Sequence, residues 1–180
     1  MNKIYLISEE TIKKHTLVND NVDGCYIAPA IDVAQEVDLN TAIGDKLLTK
    51  LKTLVADNSI FEVENEKYKV LLDEYVTPYL CWLVMSSVQI AINYKMTNSG
   101  VIENYDENKN RLDYKNSQAL QSQYEKYANA YGNKLKNFIV KNINDYPEYR
   151  EAINYEFEED LQLCNIFLPS DGNKCDYKYK

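Results

Sequence analysis

The sequence predicts a mainly α protein, a bundle of four to five helices followed by an irregular C-terminal arm. Three observations predict it. Apolar residues recur at helical steps over 39–55, 66–94 and 117–142. Five glycines and four prolines in 180 residues are too few for the many tight turns of an all-β fold. A composition 45% apolar and 27% charged is that of an ordinary globular chain and excludes a wholly disordered or collagen-like one. One domain over 1–149 and an arm over 150–180 follow from the length and from where the periodicity decays.

Ser8 is placed to cap a first short helix running to about His15, with Glu9 and Glu10 in the first turn where the helix dipole favours acid. The cluster from Asn19 to Gly24 reads as a turn. Tyr26-Ile27-Ala28-Pro29 reads as extended, because the residue before proline avoids the α region. A helical stretch then begins at Ala30 with Ile31, Ala34 and Val37. Asp38 caps a further helix whose apolar stripe is Leu39, Ile43, Leu47, Leu48, Leu51, Leu54 and Val55, and Asp57-Asn58-Ser59 stops it.

Tyr68, Leu71, Leu72, Tyr75 and Val76 again lie at helical spacing, and Thr77-Pro78 predicts a kink or restart. Leu80 to Ile92 is apolar almost all round, with Asn98-Ser99-Gly100 as the stop. Residues 101–116 are polar and irregular apart from a short strand at Val101-Ile102. A long helix opens at Ser117, presents Leu120, Tyr124, Tyr127, Ala128, Tyr131, Leu135, Phe138 and Ile139 on one face, and closes at Tyr146-Pro147.

The net charge is −8, and two of the twenty cations are arginine. Unspecific nucleic-acid binding wants clustered Lys and Arg, so this balance disfavours it without excluding a local basic patch. The first residues carry four apolar side chains before acid follows, too few for a secretory core, so export by a standard signal is not expected. Residues 75–94 hold no charge over a length that would span a bilayer, but Thr77, Pro78, Ser86, Ser87, Gln89 and Asn93 interrupt them; the expectation is a buried core helix and no membrane partner.

No catalytic constellation, cofactor motif or metal set is legible. His15, the single imidazole, sits between lysines and polar neighbours and reads as a surface residue. Cys25, Cys81, Cys164 and Cys175 form no C-x-x-C pair and read as reduced thiols, two or three of them buried; a Cys164–Cys175 bridge is the alternative. Glu156, Glu158, Glu159 and Asp160 lack the glycine turn of a calcium loop and read as a solvated face or one offered to a basic partner. Tyr124, Tyr127 and Tyr131 admit two readings, an amphipathic core face with wet edges or a contact surface. Phe167, Leu168, Tyr177 and Tyr179 are apolar anchors in an arm that would order on a partner.

The order of Ser8-Glu9-Glu10-Thr11-Ile12, then Tyr26 to Glu36, then Leu39-x-x-x-Ile43-Gly44-x-x-Leu47, then Leu71 to Leu80 resembles the head-to-tail connector (adaptor) proteins of tailed phages. It is most similar to the ring proteins of the crAss-like podoviruses of gut Bacteroidetes. The resemblance spans roughly residues 4–145 and implies a small helical bundle with an extended loop or hairpin and a mobile C-terminal arm. It further implies a structural virion protein of the neck, with no enzymatic role, assembled in the host cytoplasm. Its expected partners are eleven further copies in a twelve-membered ring, the portal protein, further tail ring proteins, and DNA passing through the channel without specific binding. On that reading Tyr124, Tyr127, Tyr131, Phe167, Leu168, Tyr177 and Tyr179 face a neighbouring subunit or the portal. The competing reading is a small helical accessory or DNA-binding protein working as a monomer or dimer.

Overall fold

The computed structural model describes residues 3–19, 21–98, 100–103 and 114–149. The Phe167, Leu168, Tyr177 and Tyr179 anchors, Cys164, Cys175 and the acidic run at 156–160 lie outside them. The architecture is mainly α. Helix α1 (Glu9–His15) follows an extended N-terminal segment; Ser8 Oγ accepts the Thr11 N–H at 3.1 Å, as the sequence predicts. The Asn19 turn forms too, and Asp23 caps α2 (Gly24–Val33).

Two expectations fail in this region. Residues 26–29 are helical, with Pro29 inside α2. An interior proline costs about 3 kcal/mol. Ile27 and Ile31 are almost wholly buried, each worth about 1.5–3 kcal/mol, so burial of this face outweighs the local bias. Nor does Asp38 cap a new helix. The chain continues from α2 through a π segment (Ala34–Leu39) into α3 (Asn40–Ile43). Ile27, Ile31, Gln35, Leu39 and Ile43 recur every fourth residue and are all buried. An α-helix advances about 100° per residue, so a step of four drifts about 40°. The wider π turn takes up that drift and holds the stripe on the core. Val37, placed with the core stripe in the sequence, is exposed as a result.

The break falls instead at Gly44, whose φ of 80° and ψ of 156° separate α3 from α4 (Asp45–Ala56). Such a conformation belongs to glycine alone, and Gly44→Ala is expected to cost about 1–3 kcal/mol of stability, read as a lowered denaturant midpoint. Helix α4 buries Leu47, Leu48, Leu51 and Leu54 and ends where Asn58 turns left-handed at φ 56°. Two single 3₁₀ turns (Ser59–Phe61 and Val63–Asn65) then lead to α5 (Glu66–Leu71).

A second π segment (Leu72–Val76) joins α5 to α6 (Thr77–Asn93). The predicted kink at Pro78 is replaced by this widened turn. Thr77 N–H reaches back five residues to the Leu72 carbonyl, which spaces the backbone where the proline ring would meet the carbonyl four residues earlier. The stretch Val63–Ile92 is long and apolar enough to cross a membrane by length and composition. It runs through the centre of the bundle, where α1, α2 and α7 pack on it and Val76, Leu80, Cys81, Val84 and Val88 are buried.

Strands β1 (Tyr94–Thr97) and β2 (Gly100–Glu103) form an antiparallel hairpin, with Tyr94 opposite Glu103 and Thr97 opposite Gly100. The expected strand at Val101-Ile102 forms, within a hairpin of the kind the resemblance allows; its partner strand takes Tyr94–Thr97, so α6 stops at Asn93, before Asn98. Helix α7 (Tyr114–Lys141) begins three residues ahead of Ser117 and returns along α6. Tyr75 stacks on Phe138 at 3.9 Å, Trp82 meets Tyr124 and Tyr127, and Gln89 Nε2 donates to the Ser117 carbonyl at 3.1 Å; the pair is therefore antiparallel.

Candidate interaction surfaces

Three arrangements stand out, each built by residues the core positions. The first is the aromatic edge between α6 and α7. Trp82 packs edge-on to Tyr127 with ring centroids 5.0 Å apart and tilted to Tyr124 at 6.0 Å. Tyr124 is buried, and burial pushes its hydroxyl pKa up. Tyr131 is half-buried and Tyr127 exposed, its hydroxyl accepting from Gln123 Nε2 at 2.7 Å. The tyrosine face thus divides: Tyr124 serves the core, while Tyr127 presents a rigid amphipathic ring to the outside.

Close approach of the two helices here depends on Gly132. A Cβ at that position would lie 2.8 Å from Tyr79 Cε2. Alanine gains about 1 kcal/mol of helix propensity, but overpacking costs about 1–3 kcal/mol. Gly132→Ala is expected to destabilise, and the same change in a Tyr79→Leu background to stabilise. A double-mutant cycle in urea checks this reversal of sign.

The second arrangement clips the N-terminal segment to the bundle. Gln35, fully buried in the first π segment, accepts the Leu6 N–H at 2.8 Å and donates to the Ile4 carbonyl at 3.0 Å. Its amide also donates to Glu36 Oε1 at 3.0 Å, and Lys52 reaches both Glu36 oxygens at 2.7 and 2.8 Å. Those contacts, the Lys52 ammonium foremost, hold the Glu36 carboxyl below its ordinary pKa. Lys3 pairs with Asp32 at 2.7 Å on the outside. Between this segment and the second π segment lies an open groove of about 720 Å³, lined by Tyr5, Leu6, Ser8, Thr11, His15 and Asp73 among others. Three of its polar side chains are committed to the helix: Ser8 and Thr11 to the cap, and His15 Nδ1 to the Thr11 carbonyl at 2.9 Å. His15 is exposed, as read from the sequence.

The third arrangement is a latch on the segment after α7. Tyr146 is 1% exposed, its ring edge-on to Tyr68 at 5.8 Å and its hydroxyl donating to the Lys67 carbonyl at 3.0 Å. Tyr68 in turn donates to both Glu148 oxygens at 3.0 Å. Burial pushes the Tyr146 hydroxyl up to about 12. Residues 142–149 are therefore tied to α5.

Among the described residues, no group of three or more His, Cys, Asp or Glu could hold a metal ion. Cys25 is exposed and Cys81 buried, its thiol pushed up to about 12 by burial, a core side chain. Gln35 and the Tyr68–Glu148 latch were missed in the sequence. Gln35 had a signal, a polar residue at the centre of the Ile27–Ile43 step-of-four stripe. The latch joins residues 80 apart and had none.

The fold is that of a mainly α helical bundle. The chain belongs to a family of unknown function, DUF6712, whose model matches residues 39–158, two thirds of its length. No curated protein and no solved structure matches it.

Proposed function

We propose that this protein is a structural head-to-tail connector of a tailed phage: a ring subunit beneath the portal, its ring lining the DNA channel. The observation that carries this reading is the latch at 142–149, which ties the bundle's last described segment in place and so gives the following arm a firm anchor. The sequence beyond residue 149 keeps Phe167, Leu168, Tyr177 and Tyr179, and a segment with such apolar anchors suits the joining of neighbours. The motif order at 8–12, 26–36, 39–47 and 71–80 supports the same reading. In it Tyr127 and Tyr131 meet a neighbouring subunit, and Phe167, Leu168, Tyr177 and Tyr179 grip the portal. An acidic lining repels DNA and lets it slide, which suits a net charge of −8.

The test is native mass measurement and negative-stain imaging with and without portal. A ring of about twelve copies is the expected result, and a strict monomer that never joins the portal overturns the reading. Deleting 151–180 should leave helical content and the unfolding of the bundle nearly unchanged while abolishing portal binding. One observation favours a second reading, a small DNA-binding protein: α7 carries Lys115, Lys126, Lys134, Lys136 and Lys141 against a single acid, Glu125. Salt-dependent retention on DNA by the purified chain would support it.

A further inference from the structure

The charge of this chain is segregated. Residues 57–66, from the end of α4 to the first residue of α5, contain Asp57, Glu62, Glu64 and Glu66 and no cation. At their tip Phe61 is 71% exposed and Val63 88% exposed, the latter more than any other large apolar side chain of the described residues. The Lys69 ammonium lies 5.5 Å from the Phe61 ring. The two 3₁₀ turns hold the tip out: Asn65 Nδ2 donates to the Ser59 carbonyl at 2.9 Å across its base, and Ile60 is buried beneath. The outer face of α7 has the opposite character. Lys115, Ala119, Ser122 and Lys126 follow at steps of 4, 3 and 4 and are all exposed. Two small residues thus lie between two ammonium groups, beside a shallow depression of about 500 Å³ whose one carboxylate, Glu125, accepts from Gln121 Nε2 at 2.9 Å.

We propose that the acidic apolar tip at 61–64 docks on the Lys115–Lys126 face of α7 in a second copy of this chain. Within one copy the two surfaces cannot meet. The latch and the Tyr75–Phe138 stack place the tip's base at the C-terminal end of α7. The Lys115–Lys126 face lies 12–23 residues before Phe138, about 18–35 Å up the helix axis. A protruding acidic tip at one end and a basic cradle toward the other make a head-to-tail contact, which closes into a ring or runs on as an open chain. Phe61 and Val63 are the anchors; Glu62 and Glu64 select the basic face and orient the encounter. The inference rests on the ring reading for closure, and independently on the charge pattern for the pairing.

Sedimentation of the full chain at low and high salt tests it. Glu62→Lys with Glu64→Lys, and separately Lys115→Glu with Lys126→Glu, are each expected to weaken self-association about tenfold or more. All four positions are exposed, and circular dichroism verifies folding. Combining the four changes should restore association, because the charges are exchanged and not removed. Association unaffected by either pair, or not restored by the combination, overturns the pairing and leaves the ring reading standing. So does a wild-type chain that stays monomeric, or a lysine pair that changes retention on DNA and not sedimentation. Association that the swaps control but that stops at two copies retains the pairing and overturns the ring.

Discussion

Tyr146→Ala is expected to lower global stability by about 3–5 kcal/mol, the range for emptying a buried aromatic site. For a chain of this size that is a fall in Tm on the order of 10 °C. The ring fills the space between Tyr68 and Phe138 and is 1% exposed, so little of the cavity can refill. Tyr146→Phe separates packing from hydrogen bonding. It keeps the ring and loses the donor to the Lys67 carbonyl, for about 1 kcal/mol. Urea denaturation of both variants checks the ratio. Equal losses would mean that the hydrogen bond, not the ring, holds the segment.

Gln35→Leu is expected to cost about 2–3 kcal/mol although leucine is similar in volume and more apolar. The Leu6 N–H then loses its acceptor where water is excluded, and an unsatisfied buried donor carries its full desolvation penalty. The Ile4 carbonyl loses its donor as well. The local signature is fast amide exchange at Leu6 with exchange along α6 little altered, since the N-terminal segment opens first. An unchanged midpoint would show that the apolar contacts of Leu6 and Ile7 alone secure that segment.

The elements most legible in the sequence are those whose local and global preferences agree. Ser8 caps α1, Asp57-Asn58-Ser59 stops α4, and the leucines of α4 face inward at the predicted spacing. Errors arise where a local rule competes with the core. The residue before Pro29 should avoid the helix, yet Ile27 and Ile31 belong to a buried face and carry it into one. Pro78 should break α6, yet a single widened turn absorbs it while the apolar run continues. Asp38 is a good cap by type, but it lies inside a stripe that extends to Ile43, and Gly44 alone has the backbone freedom to end that helix. Of the candidate contact residues, Tyr124 and Tyr127 were read on one face. A single step around α7 buries the first and exposes the second, although Trp82 touches both rings across the interface. The Gln35 clip and the Tyr68–Glu148 latch are long-range pairings, and patterns along the chain hold no record of them.

The latch also has a kinetic meaning. It joins residues 79 and 80 apart, whereas the Gln35 clip joins residues 29 and 31 apart. Closing the longer loop costs about 0.9 kcal/mol more in chain entropy, and it awaits the return of α7, whose Phe138 packs against Tyr146. It is accordingly a late event on the folding path. Substitutions at Tyr68 and Glu148 should accelerate unfolding while leaving the refolding rate nearly constant, so that the unfolding arm of the chevron shifts and the folding arm does not. Residues 142–149 are thus among the last of the described residues to set, and the time they stay docked on α5 is governed by an opening rate more than by depth of the native well.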